Sequence, residues 1–228
     1  MAPRRPTAVA FDVNETLFGL EPLRARLTEL GLPESALEWW FAVVLREGFA
    51  LAAAGDDRPF GEVAAAGLAE VLAARGIDAK PDVAERVLSG FDEMVPHPDV
   101  RPALSALAAA GIPALCLTNG SAQVVQRLVD QADLGPLVSE VLSVADAGHW
   151  KPRPEPYRYA AGVAGVPAEA LALVAVHPWD VHGAARAGLV AAWANRTGRA
   201  FPGIFVPPDV EGRDLVDVVG ALLALPER

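Results

Sequence analysis

Ala8-Val9-Ala10-Phe11-Asp12-Val13-Asn14-Glu15-Thr16-Leu17 passes from an apolar run to a polar one at Asp12. A short, uninterrupted apolar segment that empties into polar residues reads as a strand buried on both faces. Asp12 stands where that strand ends and a loop begins.

Outward from this strand the chain changes rhythm twice. From Glu21 to about Val95 the pattern is helical with short breaks, and Gly55-Asp-Asp and Gly76-Ile-Asp punctuate it. Ser35-Ala-Leu-Glu38 has the form of a capping box opening a helix from Leu37 to about Ala53. That helix is apolar nearly all round through Trp39, Trp40, Phe41, Val43, Val44 and Leu45, so it is expected inside a helical core. Further helices are expected at about 60–74 and 82–90. After Pro96 strands and helices alternate: helix 100–110, strand 113–117, helix 122–132, strand 138–144, helix 155–165, strand 171–176, helix 181–187 and strand 189–193. Alternation of this kind builds βαβ units and a parallel sheet. The expected fold is α/β, a Rossmann-like parallel-sheet core of residues 1–20 and 96–228 with a helical insertion, residues 21–95, after the first strand.

Composition narrows the function. Lys+Arg number 19 against 29 Asp+Glu, a net charge of −10, and 17 of the 19 are Arg. An acidic chain lacks the electrostatic footprint of a nucleic-acid or anionic-membrane partner. Apolar residues at 52% against 21% charged exclude a disordered chain. The single cysteine, Cys116, excludes an internal disulfide and a multi-cysteine metal site, and reads as a buried strand residue. No apolar run approaches the roughly 18 residues of a membrane span. The expectation is a cytoplasmic protein, with a homodimer suggested by the apolar helix.

Ligands of open parallel sheets sit beyond the carboxyl ends of the strands. Three expected strands end there in unusual polar groups: Asp12-Val-Asn14-Glu-Thr16, Thr118-Asn119-Gly120-Ser121 and His177-Pro-Trp179-Asp180. Lys151 lies in the proline-rich loop His149-Trp150-Lys151-Pro152. Singly, Asp12 is a cap or turn residue, Thr118 and Asn119 are turn residues, and Lys151 is a solvated lysine. Together on one edge they form a site. A carboxylate at a strand tip can attack an electrophile, and a nearby lysine keeps it ionised. Hydroxyl and amide donors orient an anionic substrate, and a second carboxylate positions water. His97 and His182 read as structural.

These residues, in this order, resemble the haloacid dehalogenase superfamily of hydrolases. The resemblance covers nearly the whole chain: Asp12 with Thr16-Leu17, the helical cap, Leu117-Thr118-Asn119-Gly120, Lys151-Pro152, and Trp179-Asp180 with Gly183-Ala184. It implies Asp12 as nucleophile and Thr16 as part of its motif. Thr118 would orient substrate and nucleophile, Lys151 would stabilise charge, and Asp180 would serve the hydrolytic water. The superfamily's phosphatases carry a second aspartate two residues after the nucleophile and extra acidic groups for Mg²⁺. This chain has Asn14 there and a single carboxylate in Val176-His177-Pro178-Trp179-Asp180. Trp179-Asp180, Lys151-Pro152 with Tyr157, and the helical cap resemble the 2-haloacid dehalogenase branch. That branch implies metal-independent hydrolysis of a short 2-haloalkanoate through an Asp12 ester, with no cofactor.

The branch also carries a halide-binding arginine in the cap, shortly after an aromatic residue. Here Ala42 and Val43 follow Trp40 and Phe41, so Arg46, one helical turn on, is the candidate. Asn14, Phe41, Asn119, Tyr157, His177 and Trp179 complete the expected substrate-binding set, with His177 in place of a small polar residue. Two other readings carry distinct expectations. A Mg²⁺-dependent phosphatase would release phosphate from small esters until chelated, and Asn14 speaks against it. A non-catalytic binding protein on the same scaffold would retain no covalent chemistry at Asp12.

Overall fold

The computed structural model describes residues 2–78 and 80–227, so Met1, Ala79 and Arg228 fall outside it. The chain enters through β1 (Ala8–Phe11) and then runs through four helices, α1 (Glu21–Glu29), α2 (Ala36–Ala54), α3 (Phe60–Ala73) and α4 (Pro81–Leu88). Alternation follows: α5 (Val100–Ala109), β2 (Ala114–Thr118), α6 (Ala122–Gln131), β3 (Glu140–Ser143), α7 (Val144–Ala147) and α8 (Pro154–Ala164). It closes with β4 (Leu171–Ala175), α9 (Pro178–Ala187), β5 (Val190–Ala194), β6 (Val210–Gly212) and α10 (Leu215–Leu223). Among the described residues six strands form one sheet in the order β3-β2-β1-β4-β5-β6, and every neighbouring pair is parallel.

Strand β1 is central and buried throughout, which is why its sequence is apolar at every position rather than at alternate ones. Val9 and Phe11 face one side, with Cys116, Val174 and Ala192, in a core that continues into the helical insert through Trp40, Val44 and Leu68. Ala8 and Ala10 face the other, against Leu115, Leu173, Tyr157 and Ala160. The chain leaves β1 towards β2 on one side and later returns to β4 on the other. The carboxyl ends of these strands therefore flank a topological switch point, where such sheets bind ligands.

The structure departs from the sequence reading at several points. Helix α9 begins at Pro178 rather than Val181, because proline is suited to the first helical position. Trp179 and Asp180 therefore lie in its first turn. Ser35 makes no capping bond, and Glu38 instead accepts from Arg24 at 2.7 Å. Trp39 is 38% exposed, whereas Trp40 is fully buried and donates its indole N–H to the Ala64 carbonyl at 3.0 Å. Strand β6 and helix α10 were not expected. The apolar residues of α2 are largely consumed inside the chain. No helix among the described residues is long and apolar enough to cross a membrane.

Gly48 of α2 lies against the Trp150 ring, and a Cβ there would approach a ring carbon to 2.2 Å. Trp150 in turn donates through its indole N–H to the Arg58 carbonyl at 2.7 Å. It thus joins the insert to the loop that carries Lys151. Gly48→Ala is expected to destabilise the protein by about 1–3 kcal/mol through overpacking, measured by denaturant melting.

Candidate active site

Lys151 is the centre of the carboxyl-end cluster. Its side chain is fully buried, and its Nζ donates to Asp12 Oδ1 at 2.8 Å, Asp180 Oδ2 at 2.7 Å and the Leu117 carbonyl at 2.9 Å. An ammonium has three protons, so all are engaged. The loop is fixed from behind, because the Lys151 backbone N–H donates to Asn119 Oδ1 at 3.0 Å. Asn119 therefore holds the lysine loop rather than pointing its carbonyl oxygen at a substrate.

Asp12 follows β1 and stays in line with the sheet by donating its backbone N–H to the Val174 carbonyl at 3.0 Å. Its Oδ2 accepts from Thr16 Oγ1 at 2.7 Å and from His177 Nδ1 at 3.0 Å. Thr16 Oγ1 also accepts from the Val176 N–H at 3.1 Å, tying the β1 loop to the end of β4. Oδ2 thus meets two donors, while Oδ1 meets only Lys151 and keeps an open lone pair. Burial alone would raise the Asp12 carboxyl, but the Lys151 charge and the His177 hydrogen bond outweigh it and hold it well below the usual carboxylate range.

Asp180 is the opposite member of the pair. Its Oδ1 accepts from Tyr157 Oη at 2.6 Å, and it is fully buried. Burial and the Asp12 charge lift its carboxyl above the ordinary 3.8 despite Lys151. Lys151 itself is raised: burial opposes its charge, and Asp12 and Asp180 more than offset the burial. Tyr157 is driven well above 10 by burial and by Asp180, so it stays a donor. The two carboxylates differ in character, with Asp12 firmly ionised and Asp180 the more basic.

His177 completes the cluster. Its Nε2 donates to Glu15 Oε2 at 2.9 Å, and its ring packs against Trp179 and Phe41 at centroid separations of 5.2 and 6.0 Å. Burial disfavours its charge, but the hydrogen bonds to Asp12 and Glu15 raise it to about 9. Glu15 is a residue the sequence reading passed over. Its φ of 60° lies in the left-handed region, at a cost of about 1–2 kcal/mol for a side-chain-bearing residue. Its position between Asn14 and Thr16 was visible, but its backbone state and its partner were not.

Two cavities flank the cluster. One of about 190 Å³ is lined by Asn14, Thr118 and Ser121, by Asp92, which is paired with Arg127, and by the apolar Phe60, Phe91 and Met94. The other, about 530 Å³, is bordered by Glu15, His177, Phe41, Leu45 and Trp193. Thr118 Oγ1 accepts from the Gly120 N–H at 2.9 Å, which leaves its own proton to donate. The indole N–H of Trp179 is buried with no partner among the described residues. Of the expected residues, only Arg46 is left out of this region. Its side chain is 57% exposed and pairs with Glu47 and Glu70 on the surface of the insert. Cys116 is buried beneath Asp12, and burial with the Asp12 charge pushes its thiol up to about 12, so it stays inert.

This arrangement can hold a carboxylate ionised beside an apolar cavity, with a second, more basic carboxylate behind it. A family model described as haloacid dehalogenase-like hydrolase matches residues 6–188. (S)-2-Haloacid dehalogenase H-109 of Pseudomonas putida is 32% identical over 130 residues, which are 57% of this chain and 58% of that enzyme. The match thus spans under two thirds of that relative's length. Haloacetate dehalogenase H-2 of Moraxella sp. (strain B) is 28% identical over 206 residues, covering 89% of this chain and 91% of that one. The crystal structure of the L-2-haloacid dehalogenase RSc1362 superposes with a TM-score of 0.89 at 27% identity, over 98% of this chain and 100% of that one. With the family model spanning most of its length, the chain belongs to the haloacid dehalogenase-like hydrolase family.

Proposed function

We propose that this protein hydrolyses the carbon–halogen bond of short 2-haloalkanoates, with Asp12 as nucleophile. The observation that carries the reading is Asp12 itself: it is held ionised by Lys151, Thr16 and His177, with Oδ1 accepting from Lys151 alone, at the switch point of the sheet. Oδ1 attacks C2 of the acid in line. The C2–O bond forms as the carbon–halogen bond breaks, and halide departs with the bonding pair. Water then adds to the Asp12 ester carbonyl and gives up a proton to Asp180. The ester opens as the second proton of that water passes to the departing alkoxide, the 2-hydroxy acid leaves, Asp12 is regenerated as a carboxylate, and Asp180 gives its proton up to solvent. Lys151 steadies the charge through both steps. The small cavity, polar at Asn14 and Thr118 and apolar at Phe60 and Met94, suits an acid of a few carbons.

The reading is of a metal-independent reaction. The space between Asp12 and Asp180 is filled by the Lys151 ammonium, and Asn14 offers no carboxylate, so these residues do not fit a divalent cation. We take residues 21–95 as a cap over a core of 1–20 and 96–228. Phe41 and Phe49 of α2 reach His177 and Trp179 across that junction.

Halide release from 2-chloropropionate is expected to continue in EDTA, and Asp12→Asn is expected to abolish it. Phosphate release from small esters that stops on chelation would replace this reading with a phosphatase. Lys151→Ala is expected to lower kcat by about a hundredfold or more, whereas Lys80→Ala and Arg46→Ala leave halide release unchanged. Tyr157→Phe removes a donor that favours the Asp180 carboxylate, so the Asp180 pKa rises further. A base must be ionised to act, so the acidic limb of the kcat–pH profile should move to higher pH in that variant.

A further inference from the structure

We propose that Glu15 is a positioning residue for this reaction: it holds His177 as a doubly protonated imidazolium against Asp12, and that cation offsets the negative charge an anionic substrate meets. The inference rests on Asp12 being the nucleophile, as proposed above.

The geometry decides the protonation state. A neutral imidazole has one N–H and one lone pair. His177 faces a carboxylate oxygen at both nitrogens, Asp12 Oδ2 at 3.0 Å and Glu15 Oε2 at 2.9 Å. A neutral ring would set its lone pair against one of those oxygens. Only the imidazolium donates to both. The rise of its pKa to about 9 agrees with this.

The charge count gives the cation a task. Asp12 and Asp180 are buried with only Lys151 between them, which leaves that cluster with one net negative charge. A 2-haloalkanoate is itself an anion, and the imidazolium brings the buried cluster to neutrality. Glu15 balances the imidazolium from the solvent edge, where its side chain is 44% exposed and its charge is screened. No other titratable group reaches the ring directly among the described residues. His97 reaches the Glu15 carbonyl, and Arg196 reaches the Thr16 carbonyl and is paired with Asp99. Arg24, which also borders the larger cavity, is paired with Glu21 and Glu38. Phe41 and Trp179 pack against the ring.

The backbone points the same way. Glu15 sits at φ 60°, where glycine would be unstrained. It is pinned there by its N–H to the Phe18 carbonyl, by His97 at its own carbonyl, and by His177 at its side chain. A carboxylate held in a conformation that favours glycine points to a role for its side chain.

The test follows His177 in two ways. Its ring is titrated by NMR without substrate, assigned by the signal lost in His177→Gln. In parallel, kcat/KM for halide release from 2-chloropropionate is measured against pH. A cation required for substrate capture is present below its pKa and lost above it. In the unaltered protein the ring should titrate near 9, with kcat/KM falling through the same pH. In Glu15→Gln both should move down by about one unit or more, because an opposite charge is removed. Glu15→Gly should show the same shift while melting no lower than Glu15→Gln, since its backbone is relaxed. A ring titrating near the ordinary 6.5 in the unaltered protein overturns the proposal. So does a basic limb that stays in place in Glu15→Gln while only the melting temperature falls. A ring that titrates as expected in a protein that releases no halide supports the charged pair and overturns the dehalogenase reading.

Discussion

A fully buried ammonium needs every proton on an acceptor, and Lys151 imposes that condition on the whole fold. Its acceptors come from the residue after β1, the carboxyl end of β2 and the first turn of α9. They converge only if β1 lies between β2 and β4 and the proline-rich loop folds over the sheet edge. Removing one partner of a buried ion pair costs about 3–5 kcal/mol, because a charge is then left uncompensated. The loop is secured twice over. Asn119 accepts from the Lys151 N–H, and Asp57 accepts from the Trp150 N–H at 3.0 Å. Asp57 belongs to the insert, so the lysine is held by the sheet and the insert together.

Much of this was legible because the site is written in short segments at strand ends. Ala8–Phe11 could be read as a buried strand from its unbroken apolar run, and Asp12 as the first residue outside it. Lys151 could be read from its place in the proline-rich loop, in order with the other strand-end groups. What could not be read depends on side-chain direction. Arg46 and Phe41 share one helix, yet Phe41 turns to His177 and Arg46 turns to Glu70 at the surface. Helical spacing did not decide which of them entered the site. Ser35 and Glu38 matched a capping box in spacing, but a surface arginine, Arg24, claimed Glu38. Helix α10 was different: Asp214 accepts from the Asp217 N–H at 2.9 Å, and Leu215, Val218, Val219 and Leu222 form its buried face. That spacing of cap and apolar face is a helix signal present in the sequence. Strand β6, three residues long, has no pattern to read.

The same limits explain Glu15. A glutamate flanked by Asn14 and Thr16 looks like an ordinary loop residue. Nothing in its neighbours announces a left-handed backbone, because glycine is the usual sign of one. The contact that gives it meaning spans 162 residues, to His177 at the start of α9. Local propensity and the site disagree at this residue, and such disagreements concentrate where function sets the terms.

A net charge of −10 should repel a small anion, so attraction has to arise locally. Lys151 cannot provide it by direct contact, since its three protons are already committed to Asp12, Asp180 and Leu117. Nor can the His177 nitrogens, which face Asp12 and Glu15. The two buried cations therefore act as fixed charge, and substrate contacts fall to donors that remain free. Those are the Thr118 hydroxyl, the Asn14 amide at the polar end of the smaller cavity, and the unpartnered Trp179 indole N–H. All three are neutral. Recognition by neutral donors beside buried cations selects an anion that is small and weakly demanding, because the described lining of the smaller cavity holds no arginine or lysine to grip a second charge. A monoanionic acid whose leaving group needs no proton meets that condition more closely than a phosphate ester does.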